Sequence, residues 1–452
     1  MKPLVVIQGP VTTRSGYGNH TRDLAISLIN TNKYEIKIVS LPWGSTPTDA
    51  LEFDNEDHIA ISNCILTQNL SKQPDVFIQI SVPNEFGMVQ GPDGKFIEQK
   101  VGKYNIGITA GIETTNVSHD FLLGCNRMDL VLTTSEHSKK GFVNTTFDRV
   151  NEKTKQKEGT LKLETPIEIL FEGIDLNVYT KTNDIHQTVI DELSGIKNKF
   201  CYLFVGHWLK GNLGEDRKDI GMLIKTFCET FKNKAARNRP ALILKTSGAT
   251  FSIMDREEIT KKILEVTAQY GHRMPEIYLL HGSLSDAEMN SLYNHPKIKA
   301  MISFTKGEGF GRPLLEFTAS GKPVIASNWS GPVDFLKHSQ LLPGQLRDIH
   351  ASAADQFLVK GSKWFTVDYQ YASKVLKDVT DDYKKYLVSA QAQRKFSIEN
   401  FNLKKMGEKF SEFIDKGLEG VPIQSELKLP KLKKVNSEAP KLKLPKLKKV
   451  EI

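Results

Sequence analysis

A glycine-rich stretch with the sequence SFTKGEGFGRPLLE occupies residues 303–316. Arg312 and Pro313 are typical of a helix start, because a proline in the first turn loses no N–H that the helix needs. The free N–H groups and the dipole of such a start favour an anion, for example a diphosphate. Three glycines before the helix allow the backbone to approach a ligand closely: Gly307, Gly309 and Gly311.

The same stretch carries two carboxylates eight residues apart. Glu308 lies in the predicted loop and Glu316 lies one turn into the predicted helix, so both side chains can face one bound molecule. A carboxylate accepts two hydrogen bonds from vicinal hydroxyls, so one glutamate can hold a sugar ring and the other a ribose. The simpler alternative is a glycine-rich turn with a capping glutamate.

The surrounding sequence predicts the strands and helices that position this stretch. A strand over residues 5–7 is followed by a small-residue loop through Gly18 and a helix from about His20. Strands and helices alternate in the same way over two halves of the chain, which is typical of parallel sheets in the α/β class. Further strands are predicted at 36–41, 76–80, 104–110, 130–132, 202–205, 241–244, 277–280, 300–304 and 323–326.

This alternation predicts two Rossmann-like domains with ligands bound in the cleft between them, beyond the carboxyl ends of the strands. We place the first domain at residues 1–175. The second, at 176–420, includes terminal helices at 371–392 and 403–416. Residues 421–452 form a tail rich in Lys, Leu and Pro.

Composition narrows the class of protein. Hydrophobic residues make up 39% of the 452 positions and charged residues 25%, as in ordinary globular proteins. No apolar run reaches the ~18–20 residues of a membrane span, and the first residues resemble a buried strand more than a signal peptide. The widely spaced cysteines predict reduced thiols and a cytoplasmic protein: Cys64, Cys125, Cys201 and Cys228.

The net charge of +8 is concentrated in the tail, since residues 426–452 contain nine Lys and three Glu. The first 425 residues carry 52 basic and 50 acidic groups, so the body gives no electrostatic argument for nucleic acid. Within the tail, LKLPKLKKV at 427–435 recurs unchanged at 442–450. This repeat is either a disordered solubilising extension or a docking segment for an acidic partner, a membrane surface or nucleic acid.

Several motifs together resemble the family-4 retaining glycosyltransferases, which have the GT-B fold. The stretch at 303–316 matches their E-x7-E signature, and ASGKPVIASN at 319–328 continues the likeness. The similarity covers most of residues 1–420 and is stronger in the second domain. The other motifs that carry it are SGYG at 15–18, EGID at 172–175, FVG at 204–206 with Arg217–Lys218, and LLHG at 279–282.

The resemblance implies roles for residues of the second domain. Glu308 matches the glutamate on the donor sugar and Glu316 the one on the donor ribose. Lys218 matches the lysine that neutralises the diphosphate, and the helix start at Arg312 stabilises the same charge. The matching backbone that approaches sugar and diphosphate comprises Gly309, Phe310 and Gly311.

In the first domain, the resemblance places Gly16 and Gly18 at the diphosphate and acceptor, although a plain turn explains them equally well. Glu113 resembles a polar residue of the catalytic cleft, with His119 as its rival. The segment 135–137 resembles cleft lining. Either Glu113 or His119 can equally be a helix-start or surface residue.

One position departs from the family pattern: His207 stands where the family has an arginine. The missing positive charge requires that His207 is protonated or that Arg217 substitutes for it. An insertion at 208–216 also replaces the family's short loop.

The implied activity is transfer of a hexose or pentose from a nucleotide-diphosphate sugar to an acceptor hydroxyl, with retention of configuration. No cofactor is implied, and no Asp-x-Asp follows a strand to imply a metal. Two alternatives remain: a GT-B sugar-nucleotide epimerase, and a non-catalytic protein that binds glycans or partners and uses the basic tail.

The acceptor stays open. Residues 107–142 resemble glycosyltransferases encoded by large tailed bacteriophages, where a hydroxymethylated DNA base is one conceivable acceptor. A glycan or a protein fits the sequence equally well.

Overall fold

The computed structural model describes residues 2–90, 95–151, 153–248, 250–271 and 274–421. Its strands, in chain order, are β1 (Leu4–Gly9), β2 (Glu35–Ser40), β3 (Val76–Ile80), β4 (Met88–Gln90), β5 (Phe96–Glu98), β6 (Tyr104–Thr109), β7 (Leu130–Thr133), β8 (Phe147–Val150), β9 (Lys157–Leu161), β10 (Ile167–Ile169), β11 (Cys201–Val205), β12 (Ala241–Lys245), β13 (Ile277–Leu280), β14 (Ile298–Ser303), β15 (Val324–Ser327), β16 (Gln340–Leu342), β17 (Gly344–Asp348) and β18 (Lys363–Val367).

The α-helices are α1 (Gly16–Thr31), α2 (Glu56–Cys64), α3 (His119–Cys125), α4 (Glu136–Asn144), α5 (Gln187–Ser194), α6 (Ile220–Phe231), α7 (Ile253–Thr267), α8 (Asp286–Asn294), α9 (Arg312–Thr318), α10 (Tyr369–Asp381), α11 (Tyr383–Asn400) and α12 (Leu403–Leu418).

Two six-stranded parallel sheets form the framework of residues 2–421. The first has the order β10-β7-β6-β3-β1-β2 and the second the order β13-β12-β11-β14-β15-β16. All residues of β3 are buried, as expected for a parallel sheet that is covered on both faces by helices. The prediction of an α/β fold with two Rossmann-like domains is confirmed. Three antiparallel hairpins complete the strands: β4-β5, β8-β9 and β17-β18.

The last helix returns to the first domain. Helix α12 packs against α1, and its residues Met406, Phe410 and Ile414 belong to the hydrophobic core of the first sheet. Two crossings between the domains run side by side, because Ile174 N–H donates to Phe401 O and Leu403 N–H to Ile174 O, each at 2.8 Å. The sequence prediction grouped α12 with the second domain, whereas in the structure this helix packs on the first domain.

Two element boundaries also differ from the sequence prediction. Helix α1 begins at Gly16 rather than near His20, because Ser15 caps it by accepting a hydrogen bond from Gly18 N–H. The helix predicted at 371–392 is interrupted at Asp382, which separates α10 from α11. Asp382 has φ of −129° and ψ of 57°, outside the helical range, so the helical backbone is broken at this residue.

None of the helices in the described ranges has the length and apolar character that a membrane span requires. The tail repeats predicted at 427–435 and 442–450 lie outside the described residues.

Candidate active site

A cleft of about 1110 Å³ is lined by residues of both domains. Loops that follow the strands of both parallel sheets supply most of its wall, which is where the ligands of such sheets bind. Both glutamates of the glycine-rich stretch, Glu308 and Glu316, line this cleft. The sequence-predicted residues that also line it are Gly16, Glu113, His207, Arg217, Lys218, Gly309, Phe310, Gly311 and Arg312.

Glu308 is held by two cations and a hydroxyl. Its Oε2 lies 3.1 Å from Arg217 Nη1, and its Oε1 forms an ion pair with Lys218. Thr305 Oγ1 donates to Oε1 at 2.9 Å. Each carboxylate oxygen is thus bound by a positive charge, so the side chain has one orientation at the cleft wall.

The charge of this cluster is fixed by its pairing. Burial alone would raise the pKa of Glu308, but Lys218 and Arg217 outweigh burial and lower that pKa to about 2. Glu308 is therefore ionised at neutral pH. Burial lowers the pKa of Lys218, while the charge of Glu308 opposes that change. The cluster is compact, and its two cations are placed so that they can turn from Glu308 towards a bound diphosphate.

Glu113 of the first domain reaches the same cluster. Its Oε1 lies 3.5 Å from Arg217 Nη1, so Arg217 lies between carboxylates from the two domains. His119, the rival candidate, lies at the start of α3 with its side chain 55% exposed and paired with Asp120. His119 does not line the cleft, and Glu113 does.

The other end of the cleft is organised by Arg312. Its Nε donates to Glu316 Oε1 at 2.6 Å, and its Nη1 forms an ion pair with Asp23 on α1 of the first domain. Tyr293 OH donates to Glu316 Oε2 at 3.3 Å. Burial raises the pKa of Glu316 to about 7, although Arg312 opposes that rise. The second carboxylate of the stretch is therefore about half protonated near pH 7.

The glycines of the stretch allow the two domains to touch. A Cβ atom at Gly307 would lie 1.8 Å from Glu113 O, and one at Gly309 would lie 1.9 Å from Ala110 O. The sequence predicted that these glycines admit a ligand. In this structure they admit the backbone of the first-domain loop that follows β6.

The start of α9 has the glycine and the proline that the sequence predicted there. Gly311 adopts a left-handed conformation with φ of 99°, which suits glycine, and Pro313 lies in the first turn of the helix. The side chain of Phe310 is buried against Phe335, with ring centroids 5.1 Å apart. Phe310 therefore anchors the loop by its ring as well as contributing backbone to the cleft wall.

His207 lies at the cleft wall, where its Nδ1 is 3.2 Å from Ser247 Oγ. Desolvation of the imidazole and the neighbouring Lys218 ammonium lower the pKa of His207. Arg217, the other residue considered for this positive charge, lines the cleft with its guanidinium 3.1 Å from Glu308 Oε2.

Gly18 differs from its predicted place in the cleft wall. It lies in the first turns of α1, where a Cβ atom would lie 2.2 Å from Thr13 O. Its glycine identity is explained by this tight packing, whereas Gly16 does line the cleft.

Several cleft residues escaped the sequence analysis. Asp23 reaches the site only through the tertiary contact between α1 and Arg312, and no local motif marks it. In the sequence, Glu172 stands out only as part of the EGID motif. In the structure it is a buried acid near Arg312, and burial raises its pKa to about 7. Tyr17 lies between the two motif glycines; its OH is 3.0 Å from Thr109 Oγ1 and accepts from Ala110 N–H at 3.1 Å.

Within the described ranges, no group of three or more His, Cys, Asp or Glu side chains is arranged to hold a metal ion. All four cysteines are free thiols, and three of them are buried.

Comparison with known proteins places this geometry in context. Residues 255–357, which include the glycine-rich stretch, match the family model of group 1 glycosyl transferases. No curated protein matches the chain.

The solved structures with a similar fold include proteins of nearly the same length. One is the Anabaena HepE protein in complex with UDP and glucose, with a TM-score of 0.58, 11% identity and coverage of 92% of this chain and 100% of that one. HepE in complex with UDP-glucose gives 0.57, 12%, 91% and 99%. Sucrose-phosphate synthase from Thermosynechococcus elongatus gives 0.59, 12%, 92% and 99%.

At these identities the likeness shows the fold, and it confirms the predicted GT-B arrangement of two Rossmann-like domains. The match of residues 255–357 confirms the predicted enzyme class, a glycosyltransferase.

Proposed function

We propose that this glycosyltransferase transfers a sugar from a nucleotide-diphosphate sugar to an acceptor hydroxyl, with retention of configuration at the anomeric carbon. The observation that carries the proposal is the Glu308 cluster. An ionised carboxylate, two cations and a glycine-lined helix start meet at one cleft between two domains. HepE, a protein of the same fold, binds UDP-glucose, so UDP-glucose is the first donor to test.

The two ends of the cleft suit the two ends of such a donor. The positive end of the α9 dipole and the side chains of Lys218 and Arg217 suit the diphosphate. Glu308 suits the hydroxyls of the transferred sugar, because it is ionised and accepts hydrogen bonds at both oxygens. Glu316 suits the ribose hydroxyls at the far end of the glycine-rich stretch.

Catalysis then relies mainly on charge stabilisation. The bond between the anomeric carbon and the diphosphate oxygen breaks, and Lys218, Arg217 and the dipole of α9 stabilise the negative charge left on the diphosphate. The acceptor oxygen attacks from the same face, and its proton passes to the departing phosphate oxygen. Glu113 lies beside this cluster and polarises the acceptor hydroxyl, which approaches from the side of the first domain.

The proposal includes several finer features. The cations of the cluster take the role that a divalent metal plays in other transferases, so transfer proceeds without one. Membership of family 4 and kinship with phage-encoded enzymes are parts of the same hypothesis. A cytoplasmic location fits the free thiols.

The acceptor is a glycan, a protein or a hydroxymethylated DNA base, and the basic tail assists its capture. Deletion of residues 426–452 is then expected to raise the KM for the acceptor without changing donor affinity. An unchanged acceptor KM in the truncated protein would contradict the role of the tail.

The direct test is a panel of sugar nucleotides assayed for release of the nucleoside diphosphate, with and without EDTA. Each donor is paired with oligosaccharides, a protein extract or hydroxymethylated DNA. We expect one donor to be consumed, faster with one acceptor class, and the product linkage to show retention by NMR. Formation of an epimer without acceptor would favour the epimerase instead, and the absence of any binding or turnover would contradict the proposal.

A further inference from the structure

A buried ion pair lies directly behind the charged cluster of the cleft. Lys306 Nζ is 3.0 Å from Asp219 Oδ2, and the side chains are 1% and 0% exposed. Tyr369 OH, at the start of α10, donates to the same oxygen at 2.7 Å. Neither Lys306 nor Asp219 lines the cleft, so neither side chain is available to a bound ligand.

The partners of this pair flank the residues that carry the chemistry. Asp219 directly follows Arg217 and Lys218, and Lys306 precedes Glu308 by two positions. The two segments are also joined through the backbone, because Lys306 N–H donates to Arg217 O at 2.8 Å. Arg217 Nη1 returns a hydrogen bond to Gly307 O at 3.0 Å. The ion pair thus closes a short ladder that fixes one segment against the other.

Asp219 adopts an unusual backbone conformation at this point. Its φ of 55° lies in the left-handed region, which costs free energy for any residue with a Cβ atom. It directly precedes α6, yet its side chain makes no capping hydrogen bond to that helix. The carboxylate is directed to Lys306 and Tyr369 instead. The pair therefore maintains a strained turn immediately after the two cleft cations.

Stability alone does not explain such a pair. Removing two charges from water is costly, and buried ion pairs can often be replaced by apolar residues of similar size without loss of stability. What an apolar pair would lack is the charge–charge attraction that joins the two segments, which acts here although Lys306 Nζ makes no hydrogen bond within the described part of the chain.

We infer that the Asp219–Lys306 pair, with Tyr369, positions Arg217 and Lys218 against Glu308 for stabilisation of the departing diphosphate. This inference rests on the proposed function. It makes Asp219, Lys306 and Tyr369 positioning residues that act through the cleft cations without touching the substrate. Loss of the pair lets the cations relax away from the leaving group while their charge, and hence most of the donor affinity, is retained.

The test uses the full-length protein with both charges removed together, in the variant Asp219→Asn/Lys306→Met. Asparagine tolerates the left-handed conformation and can still accept the hydrogen bond from Tyr369, so the fold is expected to persist. We expect a Tm close to that of the wild type and a Kd for UDP within about threefold. The kcat for release of the nucleoside diphosphate is expected to fall at least about tenfold, and Lys306→Arg, which keeps the pair, to retain most of the activity.

The first-domain pair Asp75–Lys103 provides a matched control. Its Nζ–Oδ1 distance is 2.7 Å, its side chains are 15% and 17% exposed, and neither residue lines the cleft. The corresponding variant Asp75→Asn/Lys103→Met is expected to keep the wild-type kcat. Two results would overturn this inference and leave the proposed function intact. One is a folded Asp219→Asn/Lys306→Met variant with wild-type kcat, and the other is a variant that loses UDP affinity in proportion to kcat. A wild-type protein that neither binds UDP nor consumes any sugar nucleotide would contradict the proposed function and this inference with it.

Discussion

The two glutamates of the glycine-rich stretch lie eight residues apart in one motif, yet they occupy opposite electrostatic environments. Glu308 is bound by two cations of its own domain, which lower its pKa to about 2. Glu316 shares Arg312 with Asp23 of the other domain, and burial raises its pKa to about 7. The first carboxylate is fully ionised beside the proposed leaving group, and the second is about half protonated near pH 7 at the proposed ribose site.

The two ends of the cleft also differ in which domain supplies their residues. The Glu308 cluster is built mainly within the second domain, with Glu113 as its link to the first. The Arg312 group joins α9 to α1 across the cleft. Substitutions at the Glu308 end are therefore expected to affect turnover, and those at the Arg312 end to affect binding and the relation of the two domains.

The largest effect is expected from Glu308→Gln. Glutamine keeps the shape of the side chain but removes the charge that orients Lys218 and Arg217, and we expect kcat to fall about 100-fold or more. The measurement is release of the nucleoside diphosphate under saturating donor. A variant that retains a tenth or more of the wild-type kcat would show that the charge of Glu308 is dispensable.

A smaller loss of kcat is expected for Lys218→Met, about 10- to 100-fold, because Arg217 continues to neutralise the diphosphate. Lys262→Met serves as the control, since Lys262 pairs with Glu258 on α7 and does not line the cleft. If the two variants had equal kinetics, Lys218 would have no part in stabilising the leaving group.

The next prediction uses the pKa difference between the two glutamates. A folded-state pKa of about 7 means that Glu316 favours the folded protein at low pH, and this contribution declines as pH rises from about 4.5 through 7. Glu308 acts in the opposite sense, because its contribution is lost as pH falls from about 4.5 towards 2. Glu316→Gln should therefore reduce the loss of unfolding free energy between pH 5.5 and 8 by about 2 kcal/mol.

Urea unfolding at the two pH values measures this difference. Glu172 and other buried acids titrate in both proteins, so the comparison with the wild type isolates Glu316. Parallel pH profiles for variant and wild type would show that Glu316 is ionised in the folded protein.

The smallest effect is expected for Asp23→Asn. The substitution weakens the link from α1 to Arg312 but leaves Arg312 paired with Glu316, so we expect the donor KM to rise about two- to fivefold with kcat nearly unchanged. Steady-state kinetics with varied donor provide the measurement. A large loss of kcat with an unaltered KM would place Asp23 in the chemical step instead.

Much of this account could be predicted from the sequence because its signals are local. Strand runs, the Pro313 helix start and the glycine-rich stretch each lie within a short segment, and they predicted the sheets and the positions of Glu308 and Glu316. The return of α12 to the first domain and the approach of Asp23 to Arg312 depend on contacts between distant segments. No periodicity or motif encodes these contacts.

The buried pair behind the site illustrates the same limit. Lys306 in the sequence is one lysine beside a glycine, and a surface position is the ordinary expectation for it. Only the packing of the segment at 216–219 against the loop after β14 shows that it is buried and paired with Asp219.

The central claim is that the Glu308 cluster and the start of α9 bind the diphosphate of a sugar nucleotide. Isothermal calorimetry with UDP and UDP-glucose, on the wild type and on the double variant Arg217→Met/Lys218→Met, tests it most directly. The account predicts one binding site per chain in the wild type and at least a tenfold weaker affinity when both cations are removed. Wild-type affinity for the nucleotide in the folded double variant would contradict it.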